Sequence, residues 1–223
     1  MPTEVKICGL SSEESVDAAL EAGAGFVGFN FFPPSPRSVP LERASALAAR
    51  ARGKAQIVAI IVDGDDSLIA EIAAALRPDL LQLHGKETPE RLSAIRAMTG
   101  TPVMKAVGVA AKGDLATIAG YAMDRLLLDA KPPRDATRPG GHGIAFDWSL
   151  LQSFAWAKPW FLSGGLDPEN VAAALGATRA PGVDVSSGVE SAPGRKDPEK
   201  ILAFVRAVRD FDRRAEAGKE RAA

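Results

Sequence analysis

The strongest constraint in this chain is a rhythm. Short runs rich in Val, Ile, Leu and Phe alternate with longer Ala-rich amphipathic stretches, unit after unit along the sequence. The spacing predicts strands over 4–8, 25–30, 56–62, 79–83, 102–107, 125–129, 159–163 and 182–186. Ile57-Val-Ala-Ile-Ile-Val62 and Leu126-Leu-Leu128 are continuous apolar runs rather than alternating ones. Such runs fit strands buried on both faces, as in a parallel sheet. Helices are predicted over 12–23, 41–52, 66–76, 88–98, 113–120, 148–154, 168–176 and 198–214. Ser11 with Glu14 reads as a capping box, and Thr88, Asp167 and Asp197 each stand before Pro-Glu, a helix-start signature. Gly23, Gly53, Gly100 and Gly176 stand where helices should stop.

Eight strand–helix units in 223 residues leave about 28 residues per unit. Eight such units close naturally into a (β/α)8 TIM barrel, an α/β fold of one domain. The alternative is an open doubly wound sheet, which at eight strands would normally carry longer insertions. The barrel is expected over residues 1–211, and the polar segment 212–223 is expected to fray. Two connections are irregular, 31–40 and 131–143. Both follow strands, which puts them at the C-terminal mouth, where barrel chemistry sits.

Composition removes several function classes. Lys and Arg number 27 against 28 Asp and Glu, so the net charge is −1. Neither a polybasic nucleic-acid binder nor an acidic tail protein has that balance. A hydrophobic content of 46% supplies ample core. One Cys excludes an intrachain disulfide or a Cys-cluster metal site, and two His argue against a His-rich one. No segment approaches the ~20 apolar residues of a membrane span. The first residues lack a basic start followed by an apolar stretch, so no signal peptide is read and a cytoplasmic location is expected.

The strand ends carry the chemistry. Leu162-Ser-Gly-Gly-Leu166 runs into Asp167-Pro168, and Asp184-Val-Ser-Ser-Gly-Val-Glu190 ends a strand in a Gly turn, with Ser187 and Glu190 a second possible capping box. Gly lets backbone approach an anion, and a helix start offers unpaired N–H groups. Paired Gly turns after strands seven and eight form the usual phosphate grip of a barrel. They nominate Gly164, Gly165, Ser186, Ser187 and Gly188. Cys8 ends strand one before Gly9. It is either an inert small hydrophobe or a proton acceptor whose thiolate Lys6, on the same strand face, would stabilise. Asp129 after three leucines is a cap, an ion-pair partner or an acid. Arg37, in a Pro-stiffened loop, is a surface charge or a bidentate clamp for a carboxylate or phosphate. His84 at a strand end is a structural or site residue, and His142 lies in a Gly-rich loop. Lys105 is a site charge or a partner for an acid. Asp184 bonds a sugar hydroxyl or pairs with a lysine on a neighbouring strand.

Together these residues resemble the phosphoribosylanthranilate isomerase family. The matches are K-I-C-G at 6–9, S-P-R at 35–37, Q-L-H-G at 82–85, L-L-L-D at 126–129, G-G-x-G-x-x-F-D-W at 140–148, L-S-G-G-L at 162–166, V-D-V-S-S-G-V-E at 183–190 and P-G-x-K-D at 193–197. Each is weak alone, but the series spans nearly the whole chain in the family's order. The resemblance implies an Amadori rearrangement of N-(5'-phosphoribosyl)anthranilate to 1-(o-carboxyphenylamino)-1-deoxyribulose 5-phosphate, the third step of tryptophan synthesis from chorismate. It implies no cofactor and no metal. It makes Cys8 the general base and Asp129 the general acid, with Arg37 on the anthranilate carboxylate, Asp184 near the ribose hydroxyls and His84 in the binding site. His142 departs from the family, whose Gly-rich loop more commonly has Thr there. The partner is a small phosphosugar, and both a monomer and a homodimer are compatible with the sequence. The histidine-pathway aminoaldose isomerase uses Asp at the end of strand one, where this chain has Cys8. A metal-dependent pentose-phosphate epimerase needs more His ligands. A non-catalytic phosphate-binding barrel would have no need of Cys8 and Asp129.

Overall fold

The computed structural model describes residues 1–131, 140, 141, 143, 145–151 and 158–220. Eight parallel strands form a closed barrel in chain order. They are β1 (Glu4–Cys8), β2 (Phe26–Asn30), β3 (Gln56–Ile61), β4 (Leu80–Leu83), β5 (Val103–Val109), β6 (Arg125–Ala130), β7 (Trp160–Leu162) and β8 (Gly182–Val185). The barrel closes where β8 pairs with β1, Asp184 lying opposite Lys6. The surrounding helices are α1 (Glu13–Glu21), α2 (Leu41–Ala51), α3 (Asp66–Leu76), α4 (Pro89–Thr99), α5 (Lys112–Ala116), α6 (Val171–Thr178) and α7 (Pro198–Glu220).

The period of two along each strand decides what faces inward. Val5 and Ile7, Val27 and Phe29, Leu126 and Leu128 pack outward against the helices in one large core. Their neighbours Phe26, Val58, Leu80, Met104, Leu127 and Phe161 fill the barrel itself. At the lower end the Arg125 guanidinium stands 4.9 Å from the Phe26 ring centre and 5.6 Å from that of Phe161, and it is bonded to Glu4. The interior is therefore plugged, and only its upper layer opens to the mouth.

Several boundaries differ from the sequence expectation. The α1 cap is Ser12, whose side chain accepts from Ser15 N while Ser15 Oγ accepts from Ser12 N; Ser11 instead donates to Gly194 O. Gly176 lies inside α6, which ends on Arg179 in the left-handed region. The segment 113–120 is one helical turn followed by a 3-10 turn at Thr117–Gly120, and Trp148–Leu151 is likewise 3-10. The remainder of the helix expected to 154 lies outside the described residues, as do His142 and most of the 131–143 loop. A short antiparallel hairpin, β9 (Glu190–Ala192) with β10 (Arg195–Lys196), stands between β8 and α7; its strands are too short to carry a periodic signal.

The expectation of fraying from residue 212 also needs correction. α7 continues to Glu220, and Asp212 is a clasp. Its carboxylate accepts from Thr3 N at 2.9 Å and Thr3 Oγ1 at 2.6 Å, tying the last helix to the foot of β1. Charge-assisted bonds of this kind contribute more than neutral ones. Asp212→Ala is expected to lower unfolding free energy by about 1–2 kcal/mol, read as a lower urea midpoint at unchanged slope.

Candidate active site

The upper interior layer gathers polar residues from strands far apart in sequence. Lys6 and Asp184 meet across the β1–β8 seam at 2.7 Å, both buried, and Asp184 also accepts from Ser163 Oγ at 3.1 Å. Asp184 thus pairs with a lysine of the neighbouring strand and also lines the cavity. Burial alone would push the Lys6 ammonium down, but Asp184 beside it and the Cys8 thiol hold it above the ordinary lysine range. Cys8 sits two residues on. Burial pushes its thiol up, and Asp184 adds to that; Lys6 and Lys196 pull the other way without winning. Lys6 thus acts in the expected direction, favouring the Cys8 thiolate, but burial outweighs it and the Asp184 carboxylate adds to the opposition.

Asp129 ends β6 on the same interior face. One carboxylate oxygen accepts from Ala130 N at 2.8 Å, and the other lies 3.4 Å from His84 Nε2. His84 Nδ1 in turn lies 3.1 Å from Gln82 Nε2. Gly140 comes close over this pair: a Cβ there would stand 2.6 Å from Asp129 Oδ2 and 3.0 Å from His84 Cε1. On the β7 side a Cβ at Gly164 would stand 2.6 Å from Ala130 N. Only glycine permits either approach.

Arg37 is a buried clamp that is itself clamped. Its Nε and Nη2 donate to the two oxygens of Glu190 at 2.6 and 2.9 Å. Lys196 Nζ donates to the same carboxylate at 2.8 Å, to Ser186 O at 2.8 Å and to Ser186 Oγ at 3.2 Å. Ser186 Oγ then donates to Cys8 O at 3.1 Å. Burial would raise the Glu190 carboxyl, but Arg37 and Lys196 outweigh it and hold it below the usual carboxylate range. Burial brings Lys196 below the ordinary lysine range against the pull of Glu190. Glu190 therefore belongs to no capping box. The remaining Arg37 nitrogen, Nη1, lies on the cavity side near Gly141.

The two Gly turns stand side by side at the mouth, following the paired strands β7 and β8. Gly164 and Gly165 have φ of +87° and +64°, a left-handed stretch closed to most side chains. Gly165 O accepts from Asn170 Nδ2 at 2.8 Å. α6 starts at Val171, later than Asp167, whose side chain caps the intervening turn through Glu169 N and Asn170 N. Ser186 and Ser187 line the cavity with Cys8, Asp129, His84 and Arg37. Gly188 does not line it; a Cβ there would overlap the Leu166 carbonyl, so its bareness lets the two turns pack together. Lys105 also stays out of the cavity. It pairs with Glu87 at 2.6 Å and donates to Gly85 O, stapling the β4 turn from behind. Among the described residues no three His, Cys, Asp or Glu side chains gather as a metal-holding group.

The model of the family described as N-(5'phosphoribosyl)anthranilate (PRA) isomerase matches residues 5–207. The chain belongs to that isomerase family. An N-(5'-phosphoribosyl)anthranilate isomerase of Azorhizobium caulinodans is 59% identical over 211 residues, 94% of this chain and 92% of the relative. One of Nitrobacter hamburgensis is 58% identical over 207 residues, 92% of each. Among solved structures, the phosphoribosyl anthranilate isomerase of Thermotoga maritima superposes with a TM-score of 0.83 at 36% identity, covering 93% of this chain and 99% of that one. A Thermotoga maritima structure at TM-score 0.80 and 34% identity, covering 93% and 99%, is described as monomers generated from a dimeric enzyme.

For an isomerase of this family, the residues missed in sequence are those behind the site. Glu190 and Lys196 lie in two of the quoted motifs, but their ion pair crosses the unforeseen hairpin. Gln82 was legible by parity, two residues before His84 on the same strand face. Gly9 explains itself only in three dimensions: at φ +75° its absent Cβ would stand 2.7 Å from Arg37 Cδ. Gly9→Ala is expected to cost about 1–2 kcal/mol from the left-handed backbone alone and to displace Arg37. The steady-state readout is a KM raised about tenfold, with the thermal midpoint reporting the backbone cost.

Proposed function

We propose that this barrel catalyses the Amadori rearrangement of N-(5'-phosphoribosyl)anthranilate, with Asp129 as general acid and Cys8 as general base. The carrying observation is that these two groups, from β6 and β1, face one cavity walled by the paired Gly turns of β7 and β8. One solved relative, at 33% identity and TM-score 0.80, is a complex with reduced 1-(o-carboxyphenylamino)-1-deoxyribulose 5-phosphate, which supports the same substrate class here.

The substrate phosphate lies in the turns of Gly164, Gly165, Ser186 and Ser187. Its anthranilate carboxylate meets Arg37 on the Nη1 side. Asp129 protonates the furanose ring oxygen as the C1'–O bond breaks, and the anilinic nitrogen supplies the electron pair, leaving an iminium. Cys8 as thiolate takes the C2' proton, the C–H pair forms the enolamine, and tautomerisation yields the ketone. The resting thiol and the working thiolate are reconciled by charge. A cationic iminium beside Cys8 favours the thiolate, with Lys6 and Lys196 already placed around it. The productive arrangement, thiolate at Cys8 and proton on Asp129, differs from the resting one by the position of a proton, not by proton count.

No helix among the described residues is long and apolar enough to cross a membrane. We place the reaction in the cytoplasm on the strength of the biosynthetic family. For assembly, the dimeric Thermotoga maritima relative from which monomers were generated supports a barrel that works as monomer or homodimer.

Cys8→Ser and Asp129→Asn are each expected to cut kcat by about 10²–10⁴-fold while the fold persists. The assay follows fluorescence loss of substrate made in situ, against its spontaneous hydrolysis. Wild-type turnover in either variant sinks the assignment. The raised Cys8 thiol sets the pH dependence. Removing its proton to solvent takes away the one Asp129 needs, so kcat/KM should hold its plateau and fall only above the usual thiol range. A fall beginning below neutral pH contradicts this.

A further inference from the structure

Behind Asp129 stands a side-chain chain that the reaction as described leaves idle. His84 Nε2 faces Asp129 Oδ2 at 3.4 Å, His84 Nδ1 faces the Gln82 amide at 3.1 Å, and Gln82 is 1% exposed. The amide stands with Nε2 toward the ring, and its other atom, Oε1, is buried with no hydrogen-bond partner among the described residues. An unmatched buried carbonyl of this kind is costly. Turning the amide over would satisfy Oε1 and leave Nε2 without that partner. Neither orientation satisfies both ends, so the state of the histidine decides between them.

That state is a proton count. When His84 and Asp129 together hold one proton, it sits on Nε2, facing the carboxylate, and Nδ1 accepts from Gln82 Nε2. When they hold two, as imidazolium with carboxylate or imidazole with carboxylic acid, Nδ1 carries a proton in both forms. It must then donate, and only Gln82 Oε1 can accept. We infer that Gln82 and His84 are positioning residues that load Asp129 with its proton, the Gln82 amide turning over as the pair passes between its one-proton and two-proton forms. The proton given to the furanose oxygen leaves the pair in the one-proton form.

This inference rests on Asp129 as the acid of the proposed reaction. The charged groups around the pair are identifiable. Cys8, Arg37, Lys131 and Asp184 line the same cavity, with the Lys131 ammonium paired to Asp114. Asp63, Glu87 and Lys105 lie behind the β4 turn, where Glu87 pairs with Lys105 and Asp63 accepts from Lys86 N. Gly140, lying over the contact between the Asp129 carboxylate and the His84 ring, excludes a side chain from that side.

The test has two parts. Gln82→Glu puts an acceptor-only group against Nδ1 and favours the two-proton form. The acid limb of kcat/KM, where the pair takes up its extra proton while Cys8 keeps its own, should move up by about one pH unit, a tenfold change in proton affinity. Gln82→Met, offering nothing to Nδ1–H, should move it down. In the wild type, ring ¹⁵N shifts of His84, one of two histidines, should show the Nε2–H form with Nδ1 as acceptor above the limb and Nδ1–H below it. An acid limb unmoved in a folded Gln82→Glu, or an Nδ1–H form above the limb in wild type, overturns the inference. An inactive Asp129→Asn beside such a result leaves the acid assignment standing, whereas an active Asp129→Asn removes the assignment itself.

Discussion

The Lys6–Asp184 pair is the interaction on which the site depends. It joins β1 to β8, the one strand pairing that turns a sheet into a barrel. Two charges so deeply buried hold each other at the expense of their hydration, and removing one partner of such a pair typically costs about 3–5 kcal/mol. The same pair sets the electrostatics of the base. The Lys6 ammonium pulls the Cys8 thiol toward ionisation, while burial and the Asp184 carboxylate push the other way. The pair that closes the barrel is thus also the pair that sets the charges beside Cys8.

The mouth repeats this solution twice. Glu190 binds Arg37 and Lys196, and Glu87 binds Lys105 and the backbone of the β4 turn. Each buried carboxylate has a lysine to neutralise it, and each fixes a loop that carries a site residue: Arg37 in one case, His84 in the other. Arginine suits the first position because its planar fork spends two donors on Glu190 and keeps a third nitrogen on the cavity side. The chemistry therefore rests on rigid strand ends held by charge pairs, with glycines such as Gly9 and Gly140 allowing backbone to come close.

Much of this was legible in the sequence. Continuous apolar runs located the buried strands, and reading the residues where those runs stop found Cys8, His84, Asp129 and the two Gly turns. What was not legible is partnership. Period-two alternation says that Lys6 and Cys8 share a face, but not that Asp184 arrives first. Arg37 read as a clamp for a ligand, and nothing local reveals that Glu190, 153 residues later, already holds it. Gly188 was read as a ligand contact, and nothing local reveals that it also packs one turn against the other at Leu166. The polar end of the chain looked unanchored, because a clasp that anchors it, Asp212 to Thr3, joins residues 209 apart.

That long separation bears on how the chain reaches its fold. Lys6 and Asp184 are 178 residues apart, so the seam cannot form until β8 has left the ribosome. Until then β1 is an unpaired edge on one side, with Lys6 lacking its counter-ion. Open edges and unsatisfied strands are what partly folded chains aggregate through. A charged lysine in the middle of that edge is a poor template for another strand. The residue that closes the finished barrel is thus also the charge carried on the edge that stays open longest.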